Sequence, residues 1–135
     1  MKLFYIIVSV IFLSSCSGNS KLDSIIDHTS SMQIIFYDTL GNTAGIYKSN
    51  NTEEINLLNK FFTGNEALEN KCSYTGKIML HGKTEKEIIF NLDNKCIYIL
   101  FQLDGKIYIE DISLEGIKYF KKLKYKVTTP VLQAK

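Results

Sequence analysis

There is no arginine in this chain; all 16 of its basic residues are lysine. That removes the side chain whose planar fork best reads phosphates and base edges, so no nucleic-acid partner is expected. Against 14 acidic residues the formal charge is only +2. A cluster of Lys118, Lys121, Lys122 and Lys124 near the end reads as a solvated helix face. Histidine is scarce too, with only His28 and His81, and the three cysteines form no C-x-x-C pair. A metal site or a dithiol redox centre therefore lacks its ligand set, and neither metal nor cofactor is expected. Asp27, His28 and Ser30 invite a hydrolase reading. Neighbours in one short segment cannot hold nucleophile, base and orienter in fixed geometry, so no catalytic residue is assigned.

What the chain does have begins with its first residues. One early lysine, Lys2, precedes the apolar run LFYIIVSVIFL, which has the length of a secretory h-region and is too short to span a bilayer. Leu13-Ser14-Ser15-Cys16 follows directly. These four positions resemble the lipobox of bacterial lipoproteins. The resemblance implies that residues 1–15 are a cleaved signal peptide and that Cys16 becomes the lipidated first residue of the mature chain. It also implies a membrane partner through the N-terminal lipid and residence in the cell envelope. At about 0.8 kcal/mol per buried methylene, two or three acyl chains would hold such a chain permanently. Ser17, where aspartate would retain an enteric lipoprotein at the inner membrane, points to the outer membrane, facing periplasm or surface. Removal of Lys2 would bring the net charge to +1. Residues 16–31, rich in Ser with Gly and Asn, read as lipidated Cys plus a flexible tether, leaving 32–135 as a single domain.

The stretch from Cys72 to Ile112 organises that domain. Three turn signals separate four runs rich in Ile, Phe, Tyr and Leu, the pattern of an antiparallel meander. In the first, Cys72, Tyr74, Gly76, Ile78 and Leu80 alternate with Ser73, Thr75, Lys77, Met79 and His81. Asp104-Gly105 is a two-residue hairpin turn that sets Leu100 opposite Ile109, Phe101 opposite Tyr108 and Gln102 opposite Ile107. A three-residue turn at Asp93-Asn94-Lys95 would set Leu92 opposite Cys96, Phe90 opposite Tyr98 and Ile88 opposite Leu100. The strand from Cys96 to Leu103 is apolar on both faces, as a central strand covered twice would be. The side carrying Ile97, Ile99 and Phe101, with Tyr108, is the candidate binding face.

Cys72 and Cys96 are a candidate disulfide in an oxidising compartment, the alternative being two buried thiols. First and third strands of a meander lie about 9–10 Å apart, too far for a bridge. The bond needs Cys72 to run past the end of the strand Ile88–Leu92 toward the Asp93 turn.

Around the meander, Met32–Asp38 and Ala44–Lys48 form an N-terminal hairpin through Leu40-Gly41-Asn42. Asn51 caps a helix with Glu54 completing a capping box, Ile55, Leu58 and Phe62 inward with Leu57 and Phe61, and Gly64 at the C-cap. Ser113 caps a last helix with Leu114, Ile117, Phe120 and Leu123 inward, which Gly116 should weaken by about 1 kcal/mol. The expected fold is α+β: an antiparallel β-meander sheet with an N-terminal hairpin and two helices packed on one face. The expected function is a non-enzymatic binding or inhibitor module holding an envelope protein partner. The alternatives are a small envelope hydrolase acting on cell-wall or outer-membrane material and a structural subunit of an envelope assembly.

Overall fold

The computed structural model describes residues 20–67 and 72–128. The leader, Leu13–Cys16 and the end of the chain from residue 129 lie outside the described residues. The order is α1 (Ser20–Ile26), β1 (Thr29–Tyr37), β2 (Thr43–Ser49), α2 (Thr52–Phe61), β3 (Phe62–Glu66), β4 (Gly76–Gly82), β5 (Lys86–Asn91), β6 (Tyr98–Leu103), β7 (Lys106–Ile112) and α3 (Leu114–Thr128). The strands form one seven-stranded sheet in the order β2-β1-β4-β5-β6-β7-β3, antiparallel throughout. This is the α+β class expected from the sequence.

All described helices cover the same face. Leu22 and Ile25 from α1, Ile55 and Leu58 from α2, and Phe120 and Leu123 from α3 join one core with Ile34, Phe36, Ile78, Leu80, Ile88, Phe90, Ile99 and Phe101 of the sheet. Phe120 stacks on Phe62 and Phe90, which ties α3 to the edge strand β3 and to the central strand β5. Asn51 caps α2 as expected, its side chain accepting from the backbone N–H of Glu53 and Glu54. Ser113 Oγ likewise accepts from Gly116 N–H at 3.0 Å at the start of α3.

Several expectations are corrected. The tether over 16–31 does not extend to residue 31: α1 occupies Ser20–Ile26, β1 starts at Thr29, and Leu22, Ile25 and Ile26 are core residues. The short stripe Leu22-Ile25-Ile26 was the signal, obscured by the serines around it. Three helices, not two, therefore pack on the sheet. Gly64 is not a C-cap, because Phe62 already has extended backbone and the chain passes straight into β3. Gly64 instead takes positive φ (+79°) where the β3–β7 pairing slips. Leu114 is not inward but 77 % exposed, and Gly116 is the buried residue of the first turn of α3.

The register of the Asp104-Gly105 hairpin is as read, with Leu100 opposite Ile109 and Phe101 opposite Tyr108. The β5–β6 register is not. Ile88 lies opposite Phe101, Ile89 opposite Leu100 and Phe90 opposite Ile99, one residue away from the expectation. The connection is correspondingly longer, from Leu92 to Ile97, and is pinned by Cys96 N–H to Asp93 O and Asp93 N–H to Asn91 Oδ1. The physical reason is the apolar character of both faces of β6. Either set, Tyr98 with Leu100 or Ile99 with Phe101, satisfies the hydrophobic pattern, so burial does not select a register there.

Candidate functional site: the uncovered face of the sheet

The slip in register moves the binding-face assignment. Ile99 and Phe101 are 0 % and 1 % exposed, and Ile97 and Tyr108 pack against the same core, so the chain's own helices cover that side. The expectation that these four form a docking surface is overturned, and the other side of the sheet takes their place.

On that side the pairings line up one cross-strand row. Ile46 lies opposite Ile35, Ile35 opposite Lys77, Lys77 opposite Ile89, Ile89 opposite Leu100 and Leu100 opposite Ile109. Five aliphatic residues and one lysine stem thus cross six strands, and no described helix packs over them. Met79 lies in the adjoining row opposite Gln33 and Glu87. Sequence reasoning missed this row, although the doublets Ile34-Ile35, Ile88-Ile89 and Ile99-Leu100 signalled strands apolar on both faces.

Two features bound the row. At one end Cys72 and Cys96 form a disulfide with Cα atoms 6.1 Å apart. Residues 72–75 cross the end of β5 to reach it: Asn91 Nδ2 donates to Ser73 O, and Leu92 N–H to Thr75 Oγ1 at 3.0 Å. Tyr98 donates to Cys72 O at 2.7 Å, and Ala67, Cys96 and Tyr98 make a small buried cluster against which Leu100 and Ile109 rest. Burial raises the Tyr98 hydroxyl pKa, and the charge of Tyr74 adds to it.

At the other end a shallow cleft of about 560 Å³ is lined by Ser31, Gln33, Lys48, Ser49, Asn50 and His81, with Met32 beneath. Ser31 pairs with His81 across β1 and β4, and His81 Nδ1 lies 3.1 Å from Glu85 Oε1. Ser30 Oγ donates to His81 O rather than to His28. The cleft offers hydroxyl, amide, ammonium and imidazole groups to a polar ligand beside an aliphatic strip.

A second polar cluster lies on the helix side. Glu54 accepts from Tyr47 at 2.7 Å, Tyr119 at 2.6 Å and Ser49 at 2.8 Å, joining β2, α2 and α3. It therefore does not close the expected capping box. Burial pushes its carboxyl upward, but the hydrogen bonds from Tyr119, Tyr47 and Ser49 and the charge of Lys126 outweigh this, leaving it below the usual value. The hydrogen bond to Glu54, followed by burial, raises Tyr47 to about 12, while burial and then the same carboxylate raise Tyr119 further. With three hydroxyls donating to it, Glu54 serves as a structural acceptor.

Among the described residues no group of three His, Cys, Asp or Glu side chains is placed to hold a metal ion, and no helix is long and apolar enough to cross a membrane. Fold and site define a small α+β domain with helices on one side of its sheet and an aliphatic strip on the other. Compared with family models, curated proteins and solved structures, the chain matches none of them.

Proposed function

We propose that this protein is a lipid-anchored cell-envelope module, non-enzymatic, that binds an envelope protein partner through the uncovered face of its sheet. The observation that carries the binding reading is the row Ile46-Ile35-Lys77-Ile89-Leu100-Ile109, which continues across six strands on the face opposite the helices. Ile46 is 44 % exposed and the other four aliphatic residues of the row are half-buried, and apolar surface that runs on from strand to strand in this way is a mark of interaction sites. The lipobox Leu13-Ser14-Ser15-Cys16 supports lipid anchorage, and Ser17 after it supports the outer membrane, facing periplasm or surface. The test is photo-crosslinking in intact envelopes from a reactive amino acid at position 77 or 89, compared with position 118 on the helix side. The expected result is one discrete adduct from 77 and 89 and none from 118, with Cys16→Ala losing membrane association. Adducts from 118 alone would move the site to the helix layer.

One observation favours a second reading, the small envelope hydrolase: Ser31 and His81 are cross-strand neighbours lining the polar cleft, and Glu85 lies 3.1 Å from the His81 ring. No hydrogen bond joins Ser31 Oγ to the His81 ring among the described residues, so the serine lacks the contact that would activate it. Labelling of the native chain by a fluorophosphonate, lost in Ser31→Ala, would establish this reading instead.

A further inference from the structure

The placement of α1 constrains how the domain meets its membrane. Leu22 is fully buried and Ile25 2 % exposed, Lys21 Nζ lies 3.1 Å from Glu110 Oε2 on β7, and Lys86 Nζ donates to Ser24 O at 3.0 Å. The fold is therefore fastened from its first described turn. Between Cys16 and Ser20 there are only four residue steps, a reach of about 14 Å when fully extended. The headgroup layer on each side of a bilayer takes up about 5–8 Å of that reach. A domain of this size has a radius of gyration of roughly 13 Å. An acylated Cys16 thus holds α1's first turn against the headgroups, instead of letting the domain stand off.

We infer that the bilayer surface carrying the anchor is a docking partner of the domain, and that the contact is the edge of the sheet around Lys21 and the start of β7. Three observations identify that edge. Lys21 shares a depression with Gly64, Glu66, Ile107 and Tyr108 where β3 and β7 separate. Ile107 beside it is 64 % exposed, one of the most exposed large apolar side chains among the described residues. Exposed Lys106 adjoins it and can pair with lipid phosphate while Ile107 enters the interfacial layer. Glu66 on the same edge opposes anionic headgroups, so the leash rather than net charge supplies most of the attraction. This orientation leaves the aliphatic row running away from the membrane, from Ile109 near the lipid toward Ile46.

The inference rests on the lipid-anchor reading, and its test separates the two. The full chain is purified in lipidated form with a fluorescent amino acid at position 107, or at position 40, where Leu40 is 84 % exposed beyond the far end of β1. The four strand spacings from β1 to β7 alone put these two positions about 19 Å apart across the sheet. Each form is reconstituted into phosphatidylethanolamine–phosphatidylglycerol vesicles containing a headgroup-region quencher lipid. Quenching at 107 several-fold stronger than at 40 is expected, falling to the level at 40 when about ten Gly and Ser residues are inserted between Asn19 and Ser20. Equal weak quenching at both positions in protein that mass spectrometry shows to be acylated overturns the orientation alone. Absence of acylation overturns the anchor reading, and the orientation with it.

Discussion

Glu54 and Tyr119, 65 residues apart in sequence, meet at 2.6 Å across the α2–α3 boundary, and Tyr47 reaches the same carboxylate oxygen from β2. Both kinds of group titrate away from their ordinary values, in opposite directions. Glu54 is lowered, so its contribution to stability is complete above the ordinary value of 4.5 and is lost as pH falls through the lower folded value. Tyr47 is raised to about 12, so its contribution is complete below 10.0 and is lost as pH rises through about 12. Thermal unfolding should therefore show a plateau between roughly pH 5 and 9.5, bounded on both sides. Glu54→Gln should cost about 1–3 kcal/mol at pH 7 and approach the native chain near pH 3, as calorimetry at the two pH values would show. An unchanged gap at pH 3 would mean that the charge of Glu54 contributes nothing.

Gly116 reverses the sign that helix propensity alone assigns it. A Cβ there would lie 2.7 Å from Phe61 Cβ and 2.8 Å from Ile112 Cγ2, because α3 crosses the α2–β3 junction at that point. Gly116→Ala gains about 1 kcal/mol of propensity. It must also force apart two well-packed elements, at about 1–3 kcal/mol. The expected outcome is a less stable protein by chemical denaturation, whereas Gly105→Ala, where a Cβ meets nothing, is limited by its positive φ alone.

The Cys72–Cys96 bridge closes a loop containing the whole β4–β5 hairpin, with a sequence separation of 24. Opening it should cost about 3 kcal/mol. Melting with and without reductant should differ by on the order of 10 °C. Cys72→Ser paired with Cys96→Ser should melt where the reduced native chain does, and should be indifferent to reductant.

The meander, the N-terminal hairpin and the capped helices were legible because each rests on local chemistry: Asp104-Gly105 for the last hairpin, Asn51 and Ser113 for the caps, alternation in Gly76–Leu80 for β4. The bridge was legible as a geometric condition, and the backbone crossing β5 at Ser73 and Thr75 meets it. The binding face was not legible. Its position depends on the β5–β6 register, and a strand bearing Tyr98, Ile99, Leu100 and Phe101 in succession presents two equivalent apolar faces. The end of the expected tether was misread for a related reason. Three apolar residues in α1 are too few to outweigh their serine neighbours until α2 and the sheet close over them.

Glu110 is 2 % exposed on the helix side of β7, directly opposite Ile99, and Lys21 of α1 lies within 3.1 Å of it and 4.6 Å from the Tyr108 ring centre. A carboxylate at that depth depends on its cation, so Lys21→Met should destabilise the chain by about 2–3 kcal/mol. Glu110→Leu alone leaves a half-exposed lysine that water can solvate, and should cost less. Combined, the two substitutions place apolar groups where the pair was, and the double variant should recover most of the loss from Lys21→Met. Chemical denaturation of the four proteins gives the coupling directly. Additive single effects would show that other partners of Glu110, and not Lys21, hold α1 on the sheet.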